Sequence, residues 1–208
     1  DADNKVIYPS EGEVYVPVCY RKEYRIEAGD VMRIGTEELR LKRMGFVFQN
    51  MNVLENLNII DNIVLPSVHA DRKRKKEYCE RAMDLMEGFH IGDLAERKVS
   101  EVSGGQLQRA CICRSMMSEP EIIFADEPTG ALNQTAATEV IESFLKINRD
   151  GTTILMVTHD SRIASMCERI LYILDGEIRG ELKLGKKEQN DNREREQKTV
   201  RWLAEMGW

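Results

Sequence analysis

The sequence lacks a hydrophobic run long enough to cross a membrane, and it lacks an excess of positive charge. No apolar segment reaches the ~18 to 20 residues that a membrane-spanning helix needs. The first residues, DADNKVIYPS, have neither the basic start nor the apolar centre of a secretory signal. The net charge of -6 argues against general binding to nucleic acid or anionic lipid, since both require a cationic surface. A role at a membrane would therefore depend on a partner protein.

Paired cysteine spacing of the kind found in zinc and redox sites is also missing. Two of the cysteines are only two residues apart in a predicted helix, which points their side chains to different faces and makes them poor co-ligands. The odd number of cysteines argues against a disulfide framework, and reduced thiols are the expected state. The five cysteines are Cys19, Cys79, Cys111, Cys113 and Cys167.

The chain does have the composition and length of a folded domain. Its 208 residues are 42% hydrophobic and 32% charged, which is typical of a soluble globular protein. That length suits one well-buried domain, or one main domain with a smaller lobe. We expect one domain with appendages.

Apolar patterns in the first half of the chain predict short strands and then helices. Alternating residues favour a strand at 12–18, and the compact run MGFVFQ favours another at 44–49. A stripe of apolar residues at steps of three and four predicts a helix at 71–89. A second helix should begin at the glycines after Ser103 and end near Met117.

The second half alternates strands and helices, which favours an α/β fold with a parallel sheet. The run EIIFADEP (121–128) predicts a strand, 134–148 a helix, and TTILMVTHD (152–160) another strand. CERILYILDGEIRGELKL (167–184) predicts two strands joined at the turn dipeptide Asp175-Gly176. The closing segment TVRWLAEMGW is amphipathic and is expected to pack on a domain or a partner.

Adjacent carboxylates end the first of these buried strands. Asp126 and Glu127 would stand at the carboxyl edge of the sheet, where ligands of parallel sheets collect. One carboxylate could hold a magnesium ion while the other polarises an attacking water. The alternative is a strand-end turn with solvated acids.

A serine before two glycines precedes the second predicted helix, in the run VSGGQLQRA. Ser103 is a natural cap, and the exposed amides near Gly104 and Gly105, together with the helix dipole, could bind an anion. The polar residues Gln106, Gln108 and Arg109 in the first two turns favour a function. The alternative is a plain helix cap after a loop.

Two more polar residues follow predicted strands. His159 ends TILMVTH and Gln49 ends GFVFQ. A single histidine is more often structural than catalytic, but a position at the same sheet edge as Asp126 favours a functional role. These strand ends and the glycine helix start together form a candidate site.

In their order and spacing these motifs resemble the ATP-binding domain of ABC transporters. The motifs are GFVFQN, VSGGQLQR, IIFADEPTGALN and MVTHD, within residues 44–185. The residues of these motifs are most similar to those of the bacterial branch that serves lipoprotein, macrolide and antimicrobial-peptide exporters. The resemblance implies a P-loop NTPase-like, RecA-like α/β core with a helical signature lobe. It implies four regions: an incomplete N-terminal β region ending in the Q-loop (1–66), the helical lobe (67–118), the α/β core (119–185) and a charged tail (186–208).

The resemblance also implies roles for individual residues. Asp126 would hold Mg²⁺ through water, Glu127 would be the general base, and Gln49 would sense magnesium and water. His159 would contact the γ-phosphate of ATP. The signature residues Ser103, Gly104, Gly105 and Gln106 would contact ATP held by a second subunit of a head-to-tail dimer. Asn133 would contribute to coupling across that dimer, although the family more often has aspartate there.

One expected motif is missing from the sequence. The family's phosphate loop, GxxxxGK[ST], does not occur before Gln49. The near match at 180–187 ends in lysine where magnesium needs a hydroxyl and follows the histidine strand, so we interpret it as coincidence. PSEGEVYV (9–16) resembles the piece that follows the phosphate loop, so the chain is expected to begin just past it.

The leading hypothesis is therefore an ATP-hydrolysing subunit of an ABC exporter, lacking its phosphate loop. The resemblance implies a transmembrane permease and a second ATP-binding subunit, in a homodimer or heterodimer, as partners. It implies no nucleic acid, and a cytoplasmic position at the inner face of the membrane. The alternative is a degenerate domain that donates its signature motif to a partner's ATP site. A soluble ABC protein of repair or translation is a weaker third possibility, since the chain has no internal repeat.

Overall fold

The computed structural model describes residues 14–17, 44–187 and 192–208, and the chain divides into two compact units. One unit comprises residues 37–152, and the other comprises residues 1–36 together with 153–208. Predictions that concern the remaining residues of the N-terminal region lie outside the described residues. Within the described part of the chain, no helix is long and apolar enough to cross a membrane.

The helices and strands alternate along most of the chain, as the apolar patterns predict. Among the described residues, three short 3-10 helices lie at Arg72–Arg74, Gly92–Leu94 and Val99–Glu101. The other elements are β1 (Val14–Pro17), β2 (Met44–Phe48), α1 (Ile59–Ala70), α2 (Lys75–Gly88), α3 (Gly104–Met116), β3 (Ile122–Asp126), α4 (Gln134–Arg149), β4 (Thr153–Thr158), α5 (Ser161–Ala164), β5 (Arg169–Leu174), β6 (Glu177–Lys183) and α6 (Asn192–Glu205).

In the unit of residues 37–152, β2 and β3 are parallel neighbours. Met44 lies opposite Ile122, and the register continues until Phe48 lies opposite Asp126. Both strands therefore end at the same edge, which confirms the parallel arrangement predicted for this part of the chain. Helix α3 lies very close to β2, because a Cβ on Gly45 would stand 2.9 Å from the carbonyl oxygen of Ser115. Only glycine allows this approach without a shift.

Helices α1 to α4 bury the hydrophobic core of this unit. Ile63, Met86, Ile112 and Phe144 are each at most 1% exposed, and burial of such a side chain contributes about 1.5 to 3 kcal/mol. A side chain of α4 also caps the end of α2, because Lys146 Nζ donates to the carbonyl oxygen of Gly88 at 2.7 Å. The helix predicted at 71–89 is present, except that its first turn is the 3-10 helix. Helix α1 is an addition to the predicted elements.

The second unit contains antiparallel strand pairs, among them the hairpin predicted at 167–184. β1 pairs antiparallel with β4 and with β5, and β5 pairs antiparallel with β6. Asp175 and Gly176 join the last two strands with φ of 54° and 78°. Two successive positive φ values are those of the hairpin turn that an Asp-Gly pair favours. The predicted turn is therefore confirmed.

The closing helix α6 packs on this second unit. It begins at Asn192, seven residues before the amphipathic segment that the sequence indicates. Thr199 and Leu203 are completely buried. A Cβ on Gly180 would stand 2.7 Å from Met206 Sδ and 3.0 Å from the Trp202 ring. Because Gly180 belongs to β6 and lies under this helix, the GxxxxGK-like run at 180–187 is not a phosphate loop.

A buried arginine fixes α6 to the turns beside it. Arg195 is only 5% exposed. Its Nε donates to the carbonyl oxygen of Ser165 at 2.9 Å, and its Nη2 donates to that of Cys167 at 2.7 Å. Further donations reach the carbonyl oxygens of Leu184 at 3.0 Å and Gly185 at 3.1 Å. One side chain thus joins the start of α6 to the ends of α5 and β6.

Candidate functional site

The structure brings Gln49 to the turn that follows β3. Gln49 and Glu127 are the residues directly after the register partners Phe48 and Asp126. The Gln49 side chain lies over Gly130, because a Cβ on that glycine would stand 2.9 Å from Gln49 Nε2. The turn itself is closed by the Gly130 amide, which donates to the carbonyl oxygen of Glu127 at 3.1 Å. Two of the predicted strand-end groups therefore meet at one edge.

The two carboxylates differ in environment. Asp126 is exposed and Glu127 is half-buried. Glu127 has φ of 43°, in the left-handed region. A residue other than glycine in that region costs about 1 to 2 kcal/mol, and such strain is frequent at functional sites. The buried residues Pro128 and Thr129 follow it directly.

These side chains suit magnesium bound together with phosphate. Asp126 and Gln49 offer carboxylate and amide oxygens, which are the donors that Mg²⁺ prefers. Among the described residues there is no group of three or more His, Cys, Asp or Glu side chains that could hold a metal ion. Mg²⁺ is commonly held by one or two carboxylates plus the phosphates of the substrate. The donor set at this edge fits such a shared site.

The start of α3 is a complete capping box. Ser103 Oγ accepts from the Gln106 amide at 3.3 Å, and Gln106 Oε1 accepts from the Ser103 amide at 2.8 Å. Ser103 and Gly104 are exposed. The remaining amides at a helix start and the helix dipole favour an anion. The predicted helix start is therefore present at the predicted residue.

The two glycines at this start also serve helix packing. Gly105 is buried, and a Cβ there would stand 2.8 Å from Ala136 Cβ on α4. A Cβ on Gly104 would stand 3.1 Å from Leu132 Cδ2. The α3 start thus lies directly beside the start of α4. Glycine is needed at position 105 for this contact, whatever the helix start binds.

Asn133 caps α4 beside the same contact. Its Oδ1 accepts from the Ala136 amide at 2.9 Å. An aspartate would offer an oxygen in the same place, so the departure from the family's more common residue keeps the cap. It removes one negative charge from the helix start.

His159 belongs to the other unit, directly after β4, and is exposed. The next residue, Asp160, starts α5 by accepting from the Arg162 amide at 2.9 Å. Burial raises the pKa of Asp160, but hydrogen bonds from the Arg162 side chain and backbone outweigh it and lower that pKa below its ordinary value. His159 and Asp126 lie in different units, and their convergence stays a prediction.

Two side chains of α3 hold the loop after β2: Gln108, which the sequence indicated as a polar residue near the helix start, and Arg114, which it did not single out. Gln108 is completely buried, and its Nε2 donates to the carbonyl oxygen of Phe48 at 3.3 Å. Arg114 Nη2 and Nη1 donate to the carbonyl oxygens of Met51 at 2.7 Å and Asn52 at 2.9 Å. The sequence indicated a function for Gln108 from its polar side chain in the first two turns of the helix, but it did not predict this contact with the loop. Arg114 gave no signal, because its partners are backbone atoms.

The thiols of α3 are buried and unsuited to metal binding. Burial raises the pKa of Cys111, and it raises the pKa of Cys113 to about 12. Both therefore stay protonated at neutral pH, whereas a metal ligand must be a thiolate.

A parallel strand pair ending in a glutamine and in adjacent carboxylates, beside a helix that starts at a serine and two glycines, is the arrangement of an ATP-binding cassette. The family model of the ABC transporter matches residues 5–130 of this chain. The chain belongs to the ABC transporter family. This confirms the resemblance and the α/β fold class predicted from the sequence.

Individual relatives agree with this family. The lipoprotein-releasing system ATP-binding protein LolD of Aquifex aeolicus is 37% identical over 177 residues, covering 84% of this chain and 74% of that protein. The macrolide export ATP-binding/permease protein MacB of Aggregatibacter actinomycetemcomitans is 43% identical over 141 residues. That match covers 68% of this chain, and the chain spans only 22% of that protein.

A solved structure shows the same fold. The dimeric ATP-binding cassette MJ0796, in a post-hydrolysis state bound to ADP and Pi, matches with a TM-score of 0.59 and 33% identity. The match covers 72% of this chain and 66% of that one.

Proposed function

We propose that this chain is the ATP-binding and ATP-hydrolysing part of an ABC exporter and energises transport by a membrane partner. The observation that carries the proposal is the meeting of Gln49 with the Glu127–Gly130 turn at the end of the parallel strands. The names of two relatives, which describe macrolide export and lipoprotein release, support the exporter class.

The strand ends are proposed to hold Mg²⁺ and the attacking water. Asp126 would bind the ion through water, and Gln49 would contact both the ion and the water. When bound, Mg²⁺ would neutralise charge on the phosphates of ATP. Glu127 would accept the proton of the attacking water. Glu127 is half-buried and its carbonyl oxygen accepts from the Gly130 amide, which limits the directions that its carboxylate can take.

The other site residues are proposed to contact phosphate. His159 would bind the γ-phosphate of the chain's own ATP. The α3 start, at Ser103, Gly104 and Gly105, would bind the γ-phosphate of ATP held by a second subunit. The exposure of Ser103 and Gly104 supports contact with another molecule. Gln106 would keep the cap formed during that contact, and Asn133 would lie beside it at the subunit boundary.

The proposed partners are a transmembrane permease and a second ATP-binding subunit, identical or related. The dimeric state of the MJ0796 cassette supports the second subunit. Exposed apolar side chains at Leu54 and Leu65, 47% and 41% exposed, support a protein contact on the segment after Gln49. With a permease as partner, the chain would work at the cytoplasmic face of the membrane without nucleic acid.

ATP hydrolysis by the assembled transporter tests the general base. Glu127→Gln keeps the shape of the side chain but removes the base, so the rate should fall by about 100-fold to 10,000-fold. Glu142→Gln is the matched control, because Glu142 is exposed on α4 away from the strand ends. Equal rates in wild type and Glu127→Gln would refute the assignment of Glu127.

The second candidate function is donation of the signature helix start to a partner's ATP site. It is favoured by the exposure of Ser103 and Gly104. In a mixed dimer with an active subunit, Ser103→Arg should then lower ATP turnover, while this chain alone should bind ATP negligibly. Ser118→Arg, at the opposite end of α3 and also exposed, is the control. Unchanged turnover with Ser103→Arg would exclude this function.

A further inference from the structure

The loop between β2 and α1 is held by side chains from outside it. Residues 49–52, here called the glutamine loop, contain no helix or strand. Asn52 has φ of 45°, a left-handed conformation that needs support from its surroundings. That support comes from the two hydrogen bonds that Arg114 donates, one to the carbonyl oxygen of Met51 and one to that of Asn52.

These donors lie on one face of α3. Gln108, Cys111 and Arg114 follow one another at steps of three, which places them along the same side of a helix. Gln108 binds the carbonyl oxygen of Phe48, and the Cys111 thiol lies 3.5 Å from that of Met51. Three side chains within about two turns of one helix thus hold the end of β2 and the loop that follows it.

Arg114 is the strongest of these donors. A hydrogen bond from a charged group contributes about 1.5 to 3 kcal/mol, compared with about 1 for a neutral pair. Arg114 makes two such bonds to adjacent carbonyls, and its guanidinium is rigid and planar. A rotation of α3 therefore moves the backbone directly after Gln49.

We propose that Arg114 is a positioning residue for Gln49, which makes the glutamine loop move as one body with α3. Because α3 begins at Ser103, a displacement of the helix start by bound nucleotide reaches the magnesium ligand Gln49 through Arg114. This link rests on the proposed roles of Gln49 and Ser103. The attachment of the loop to α3 rests on the hydrogen bonds alone.

Hydrogen exchange of the full chain tests the attachment. The amides of Leu54 and Leu57 lie just after the glutamine loop and donate to Asn62 Oδ1 at 2.8 Å and to the carbonyl oxygen of Leu54 at 3.2 Å, so they report whether release of the loop loosens the chain that follows it. Arg114→Met should accelerate their exchange by about 10-fold or more, with Arg114→Lys in between. Arg81→Met is the control, since Arg81 binds the carbonyl oxygen of Met116 at the end of α3 without touching the loop. Exchange within about twofold of wild type in Arg114→Met, or equal acceleration in Arg81→Met, would overturn the attachment.

The magnesium dependence of ATP hydrolysis tests the link to Gln49. In the assembled transporter, Arg114→Met should raise the Mg²⁺ concentration for half-maximal rate by about 10-fold. Arg114→Lys should recover most of the change, and KM for ATP at saturating Mg²⁺ should stay within about twofold. An unchanged Mg²⁺ dependence in an active assembly would overturn the link. A wild-type rate no higher than that of Glu127→Gln would refute the proposed function instead, and the exchange comparison would still decide the attachment.

Discussion

Each compact unit contains an arginine that donates to several backbone carbonyls, and the two arginines differ in what they hold. In the unit of residues 37–152, the partly exposed Arg114 binds two carbonyls of the loop that carries Gln49. In the other unit, Arg195 is almost completely buried. Its acceptors are the carbonyl oxygens of Ser165, Cys167, Leu184, Gly185 and Lys186.

The difference between Arg114 and Arg195 shows two separate effects. The burial of such an arginine determines how much it contributes to stability, and its location determines whether its loss affects the proposed site. A buried guanidinium is costly unless its donors are satisfied, and Arg195 meets that condition with several carbonyls at once. Its loss should therefore affect stability. Arg114 lies beside the proposed site and keeps some contact with water. Its loss should affect the position of Gln49 more than the folding of the unit.

The largest stability effect should come from Arg195→Met. This change keeps much of the buried volume but leaves several buried carbonyls without their donor, so the free energy of unfolding should fall by about 3 to 5 kcal/mol. Urea denaturation of the full chain measures it. Arg193→Met, two residues earlier on the exposed side of α6, should change stability by less than about 0.5 kcal/mol.

The contrast with Arg114 sharpens this prediction. Arg114→Met should lower the free energy of unfolding by clearly less than Arg195→Met does, since its donors face carbonyls that water can partly reach. A loss below about 1 kcal/mol in Arg195→Met would contradict the comparison, because the buried arginine and the partly exposed Arg114 would then contribute alike to stability.

A smaller effect is expected where α3 meets α4. In Gly105→Ala, the added methyl would stand 2.8 Å from Ala136 Cβ, so the two helices must separate. We expect a loss of about 1 to 3 kcal/mol in thermal unfolding. Gly88→Ala is the control, because a Cβ there meets only Lys146 Nζ at 3.6 Å. Equal stability of Gly105→Ala and wild type would mean that packing does not require this glycine.

Comparing Gly105→Ala with Arg195→Met also shows whether a loss of stability in each unit affects ATP turnover. In the unit of residues 37–152, a packing defect at the α3 start displaces the proposed phosphate contacts, so ATP turnover should fall together with stability. Arg195→Met should lower stability without changing the turnover of the molecules that remain folded. Turnover corrected for the folded fraction measures this difference.

The strand ends and the helix start could be predicted from the sequence because local patterns mark them. Asp126 and Gln49 each follow a compact apolar run, and Ser103 precedes two glycines. A parallel register then brings the strand ends together. The contacts of Arg114 could not be predicted, because every residue has a carbonyl and no residue type identifies the acceptor.

The start of α6 was missed for a different physical reason. Its buried positions are Arg195, Thr199 and Leu203, at steps of four, so they form one helical stripe. Two of these three residues are polar, and the hydrophobic pattern therefore begins only near the tryptophans. An arginine can occupy a core position when backbone carbonyls receive its donors, which a count of apolar residues does not detect.

The smallest effect should come from the cap of α4. Asn133→Ala removes the acceptor of the Ala136 amide, and the free energy of unfolding should fall by about 1 kcal/mol at pH 7. Asn133→Asp keeps the acceptor and adds a negative charge at a helix start, which should leave stability equal or raise it by about 0.3 to 1 kcal/mol. Gln134→Ala, exposed and next in the chain, controls for a change of side chain at the start of α4. A loss in Asn133→Asp as large as in Asn133→Ala would show that the amide group itself is needed, and that the family's more common aspartate could not replace it in this chain.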